Sequence, residues 1–202
     1  SGAGKTTLIK LLLRLYDVES GEICIGNHSI VDLSLKSLRN NIALVSQETF
    51  LFDGTIRDNI AYPNVDISDN RIKKAASLSQ CQEFINQLKD GYDTIVGERG
   101  QKLSVGQKQR LSIARAIYKK PPIFIFDEAT SSVDNLTEKH IQEAIFSASR
   151  GRTTIVIAHR LSTIRRADRI IVLNNCEIKE DGTHDELLKD PNGFYSNLWN
   201  IQ

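Results

Sequence analysis

Ser1-Gly2-Ala3-Gly4-Lys5-Thr6-Thr7 runs directly into Leu8-Ile9-Lys10-Leu11-Leu12-Leu13, so a glycine-rich turn must open an apolar helix. Gly-x-Gly-Lys-Thr is the second half of the G-x-x-x-x-G-K-S/T phosphate loop, and the helix which that loop requires follows at once. In such a loop the glycines let backbone N–H groups close around phosphates. Lys5 then reaches the β and γ phosphates, and the Thr6 hydroxyl ligates Mg²⁺. The plainer reading is a glycine turn capping an ordinary helix; the Lys-Thr pair directly behind the second glycine favours the phosphate loop. The first glycine of the full pattern would fall upstream of Ser1, and the chain has no methionine. It is therefore expected to be an N-terminally truncated fragment of something longer.

With 202 residues, the chain can bury one good core. A formal charge of +1, with the signs interspersed, argues against gripping nucleic acid by bulk electrostatics. No stretch reaches the eighteen or so apolar residues of a membrane span. His28, His140, His159 and His184 lack metal-ligand spacing. Cys24, Cys81 and Cys176 are odd in number and far apart, and are expected to be reduced thiols in a cytosolic compartment.

Helix and strand signals alternate, which predicts an α/β chain. Residues 5–16 read as a helix, 21–27 as a short strand into a turn, 35–40 as a helix and 42–45 as a strand. A helical period runs over 69–88 with a break near Ser79. Another helix spans 104–118, stopped by Pro121-Pro122, and Ile123-Phe124-Ile125-Phe126 has the wholly apolar pattern of a buried parallel strand. Residues 135–149 read as an amphipathic helix and 153–158 as a buried strand. Segments 169–173 and 177–179 flank a hairpin turn at Asn174-Asn175, and two short helices, 185–188 and 195–200, follow. The texture predicts a phosphate-loop core, a mostly parallel sheet flanked by helices, with a helical subdomain inserted at about 55–118.

Asp127 and Glu128 follow the apolar strand directly. A buried strand delivers acidic side chains at its C-terminal end, where α/β folds hold their ligands. Asp127 suits the Mg²⁺ shell and Glu128 suits polarising a water that attacks a γ-phosphate. Alone, the pair would read as a solvated acidic turn; downstream of a phosphate loop, the catalytic reading is the better one.

Leu103-Ser104-Val105-Gly106-Gln107, with Lys108-Gln109-Arg110, resembles the signature motif of ATP-binding cassette (ABC) ATPases and lies about twenty residues before the Asp-Glu pair. In that family the signature opens a helix whose N-terminal dipole and serine face the γ-phosphate held by the opposite subunit, a sound use of a helix N-terminus. Ser104 would cap the helix as well. Further matches stand in the family's order. Gln47 resembles the Q-loop glutamine that touches Mg²⁺ and the attacking water. Ser131-Ser132-Val133-Asp134 resembles the D-loop, and His159 the switch histidine that senses the γ-phosphate.

The resemblance covers the whole chain and narrows to exporters. Thr94-Ile95-Val96-Gly97-Glu98-Arg99-Gly100 looks like the segment that contacts transmembrane helices. Ser46 to Phe52, Thr55 to Ile60, and Glu177 to Leu187 are also exporter-like. Phe50 and Phe52 read equally well as local core or as docking knobs. The resemblance implies two cassettes sandwiching two Mg-ATP molecules, with hydrolysis driving export. It also implies a second nucleotide-binding domain as partner, a transmembrane domain fused upstream, and residence at the cytoplasmic face of a membrane. Val105 departs from the family's usual glycine, and its side chain either crowds the phosphate or points away. Two alternatives stand beside the exporter reading: a soluble ABC-type ATPase uncoupled from transport, and a nucleotide-binding regulatory module that does not hydrolyse.

Overall fold

The structure is a computed structural model that describes residues 2–64, 67–128, 133–158 and 160–201. Its internal contacts divide the chain into two units, residues 1–39 with 157–202, and residues 40–156.

The first unit opens with α1 (Lys5–Leu12), which Gly4 enters at φ +89. The helix ends four residues earlier than its apolar run predicts. Arg14 takes φ +49, Arg14 N–H donates to Leu11 O and Leu15 N–H to Lys10 O. These two bonds make a Schellman end with arginine where glycine is usual. The Arg14 guanidinium also donates to the carbonyls of Ile30 (3.3 Å) and Leu33 (3.1 Å), so contacts far along the chain hold that turn. The 21–27 region forms a small hairpin, β1 (Cys24–Ile25) paired antiparallel with β2 (His28–Ser29). Helix α2 (Leu35–Asn40) has the expected bounds.

Later in this unit β6 (Ile170–Asn174) and β7 (Glu177–Gly182) pair antiparallel. The turn lies one residue beyond the sequence expectation, at Asn175-Cys176, with φ +49 and +61. Two consecutive positive φ values match the right-handed twist of a two-stranded hairpin. Helices α8 (His184–Leu187) and α9 (Phe194–Ile201) follow. Leu161, Ile170, Val172, Leu187 and Tyr195 form the unit's apolar cluster. The Glu180 carboxylate accepts from the N–H groups of Phe194 (2.6 Å) and Tyr195 (2.8 Å), satisfying the open start of α9.

In the second unit β3 (Ile42–Val45) pairs in parallel with β4 (Ile123–Asp127), register Ile42 to Ile123 through Val45 to Phe126. Strand β5 (Thr153–Ile157) completes the order β3-β4-β5. Phe124, Ile125 and Phe126 are fully buried, as an unbroken apolar run requires. Helices α3 (Ile56–Ala61), α4 (Asp69–Leu78), α5 (Gln82–Gln87), α6 (Val105–Lys119) and α7 (Asn135–Ser149) pack a continuous core that includes Leu51, Ile60, Ile72, Ile85, Leu111, Tyr118 and Ile141. The break near Ser79 is real: Gln80 adopts φ +58 and Cys81 N–H reaches back to Ala76 O.

Candidate functional site

Within the first unit, the phosphate-loop residues that are described have the backbone this role demands. Gly2 and Gly4 sit at φ +86 and +89, where an L side chain is strained. A Cβ on Gly2 would have nothing within 4 Å, so space rather than packing lies beside that backbone. No acidic residue stands in the first turn of α1, and Gly4 supplies no side chain to cap it. The open N–H groups and positive dipole end beside Lys5 and Thr6 therefore suit an anion. Ala3 and Thr7 complete the described loop; Ser1 lies outside the described residues.

Within the second unit, parallel pairing decides the arrangement. Because β3 and β4 run the same way, Ser46-Gln47 and Asp127-Glu128 leave the sheet side by side at its C-terminal edge. This is where open parallel sheets bind ligands. Glu128 adopts φ +52, an uncommon conformation for a residue that is not glycine. Such an outlier directly after a buried strand is the kind of local cost found at working sites. Among the described residues no group of three or more His, Cys, Asp or Glu gathers. Mg²⁺ is typically held by one or two carboxylates together with substrate phosphates, which is the donor set that Asp127 offers.

Ser104 caps α6 by a reciprocal box. Its Oγ accepts from Gln107 N–H (3.3 Å), and Gln107 Oε1 accepts from Ser104 N–H (2.9 Å). Val105, the departure in the signature, is 58% exposed, so its side chain points out of the fold rather than into the core. Gly106 is a packing necessity: a Cβ there would sit inside 3.0 Å of Thr137 Cγ2 on α7. Thr137 belongs to the first turn of α7, whose cap Asp134 accepts from Leu136 N–H (3.1 Å) and Thr137 N–H (3.0 Å). Hydrogen bonds, that of the Thr137 side chain foremost, hold the Asp134 carboxyl below its usual range. Gly106 and Asp134 thus both border the same threonine. His159 and the Ser131-Ser132 part of the D-loop lie outside the described residues.

Several positioning residues escaped the sequence reading. Asn59 is fully buried, donating to Phe52 O (3.0 Å) and Thr55 O (3.0 Å) and accepting from Phe52 N–H (2.9 Å). Arg115 donates to Asn59 O (2.8 Å), Asn59 Oδ1 (2.8 Å) and Phe50 O (2.9 Å), with its guanidinium 5.1 Å from the Phe52 ring centre. Burial pulls Arg115 down to about 10, so it stays charged at neutral pH. The two exporter-like segments meet as well: Ile56 N–H donates to Thr94 O and Val96 N–H to Gly54 O, each at 3.0 Å. Phe50 and Ile95 are more than half exposed. Phe50 meets the Phe52 ring edge-on at 5.2 Å, so Phe52 is the half-buried partner and Phe50 the outward knob. The signal that would have found Asn59 and Arg115 is a polar residue inside an apolar helical stripe.

Comparison with known proteins agrees with this geometry. A family model described as "ABC transporter" matches residues 1–131. The chain belongs to the ABC transporter family. It is 53% identical over 195 residues to an "ATP-dependent lipid A-core flippase" of Syntrophus aciditrophicus (strain SB), covering 96% of this chain and 32% of that protein. It is 48% identical over 202 residues to "ABC transporter B family member 14" of Arabidopsis thaliana, covering all of this chain and 16% of that protein. A solved "bacterial Atm1-family ABC exporter with ATP bound" superposes at TM-score 0.93 with 45% identity, over 100% of this chain and 35% of that one. The chain thus spans between 16% and 35% of these relatives' length. Among the described residues no helix is long and apolar enough to cross a membrane.

Proposed function

We propose that this chain is the ATP-hydrolysing nucleotide-binding domain of an exporter-type ABC transporter, with residues 55–118 as its helical subdomain. The observation that carries the reading is the shared exit of Gln47 and Asp127-Glu128 from adjacent parallel strands, in a chain of this family that also holds an anion-ready loop at Gly2–Thr7. Lys5 and the loop N–H groups bind the β and γ phosphates of ATP. Thr6, Asp127 and Gln47 would hold Mg²⁺, which when bound offsets charge on the transferred phosphoryl group. Glu128 takes the proton of the attacking water, Gln47 orients that water, and His159 senses the γ-phosphate. Leu103, Ser104, Val105, Gly106 and Gln107, with Asp134, serve the nucleotide held by a second cassette, so two sites form between two such domains.

Coupling runs through the joined 52–60 and 94–100 segments to a transmembrane domain, fused upstream, with the cassette at the cytoplasmic face of the membrane. Mechanistically this is positioning and charge neutralisation rather than covalent chemistry. The test is Glu128→Gln in the full-length protein. ATP turnover should fall about 10²–10⁴-fold, the usual worth of a positioned base, while ATP binding persists. Wild-type turnover in this variant would remove Glu128 from the role, and a wild-type protein that binds ATP without turning it over would leave only the regulatory-module reading.

A further inference from the structure

We propose that Gln109 is a positioning residue that fixes Gln47 to the signature helix. The inference rests on the role assigned above to Gln47 and names a residue on another element that sets its place. Gln109 lies one turn into α6 and is 3% exposed. Its side-chain amide spans both flanks of Gln47: Nε2 donates to the Ser46 carbonyl (3.4 Å), and Oε1 accepts the Thr49 hydroxyl. Within the bridged stretch Ser46 Oγ donates to Glu48 O (2.8 Å), closing a local turn around Gln47. One buried amide therefore clamps a four-residue loop at both ends.

The clamp is specific to an amide. A carboxylate at 109 could accept from Thr49 but would face the Ser46 carbonyl with no donor, and an apolar side chain would abandon both partners in a buried place. The clamp's other end is mechanical. Gln109 is five residues from Ser104 on one continuous helix, so a small displacement of the signature end of α6 is delivered to the loop bearing Gln47 without passing through solvent. The Arg115 contacts to Phe50 and Asn59 tie the following residues to the same helix and keep the loop from yielding elsewhere. Gln109 touches no nucleotide in this scheme; it acts through Gln47.

The experiment measures steady-state Mg-ATPase of the full-length protein against ATP concentration, with thermal unfolding of each variant. Gln109→Leu and Thr49→Val should each lower kcat about 5- to 50-fold with KM for ATP within about twofold, the split expected when water positioning rather than binding is lost. Thr49→Ser, which keeps the hydroxyl, should restore kcat to within about twofold of wild type. The Gln109→Leu, Thr49→Val double variant should be no worse than the poorer single one, because both break the same clamp. Wild-type kcat in Thr49→Val, equal loss in Thr49→Ser, or additive losses with a falling unfolding temperature would each overturn the proposal. Gln47→Ala separates it from the reading beneath it. If Gln47→Ala leaves kcat unchanged, the role of Gln47 itself is wrong. If Gln47→Ala is impaired while the clamp variants are normal, only the clamp is wrong.

Discussion

Gly106→Ala is the sharpest perturbation of the signature. The added methyl would come inside 3.0 Å of Thr137 Cγ2 and to 3.4 Å of Thr137 Cβ. Thr137 cannot swing aside freely, because both its side chain and its N–H are hydrogen-bonded to the Asp134 cap. Either α6 or the first turn of α7 must shift. Overpacking of this kind costs about 1–3 kcal/mol. Replacing a helical glycine by alanine returns at most about 1 kcal/mol. A contact inside 3.0 Å calls for the upper half of the overpacking range, so the net is a loss of about 1–2 kcal/mol, or about 2–8 °C in unfolding temperature for a chain of this size. Thermal unfolding of Gly106→Ala, Thr137→Ser and the double variant checks it. Serine removes the clashing methyl and keeps the hydroxyl, so the double variant should recover at least about 1 kcal/mol relative to additivity. If Gly106→Ala unfolds at the wild-type temperature, or if Thr137→Ser brings no recovery, the contact between signature and α7 start is wrongly described.

Three further outcomes follow from the geometry. Asn59→Ala should cost about 2–4 kcal/mol in urea unfolding, since it strands the backbone groups of Phe52 and one arm of Arg115 in a buried place. Hydrogen bonds from the Thr55 side chain and N–H hold the Asp58 carboxyl below its usual range, so its contribution is present above the unfolded carboxylate pKa and lost as pH falls through the lower folded one. Asp58→Asn should therefore be less stable than wild type at pH 7, with the gap closing in the acid range; a pH-independent gap would refute this. Burial pushes the Cys81 thiol up to about 12, whereas Cys24 and Cys176 are exposed. At pH 8 an alkylating reagent should label Cys24 and Cys176 in the native protein and spare Cys81 until it unfolds, with peptide mass mapping as the readout.

Much of this was legible in the residues because the signals were local. The strand over Ile42–Val45 and the helices over Leu35–Asn40 and Asn135–Ser149 have the expected bounds, set by apolar period and, for the last, the Asp134 cap. Ser104 as the cap of α6 was readable in the sequence, and the Ser-x-x-Gln spacing supplies the reciprocal box that holds it. The misses share a non-local cause. Arg14 holds a left-handed turn that nothing in its neighbours announces, because its guanidinium finds carbonyls near residues 30 and 33. The Asn175-Cys176 turn was displaced by one residue because register, set by pairing across β6 and β7, outranked the more usual Asn-Asn pair. Gln109, Asn59 and Arg115 were invisible as a network, since each reads as a polar residue on a helix until the partner loop is folded beside it. Periodicity could not orient Val105; its first-turn position on α6 turns it outward.

The most direct measurement is a structure of the full-length protein carrying Glu128→Gln with Mg-ATP bound. Lys5 should lie on the β and γ phosphates, with Ser104 of a second cassette facing the same γ-phosphate. Nucleotide bound away from residues 2–7, or a phosphate with no second cassette against it, would contradict the account.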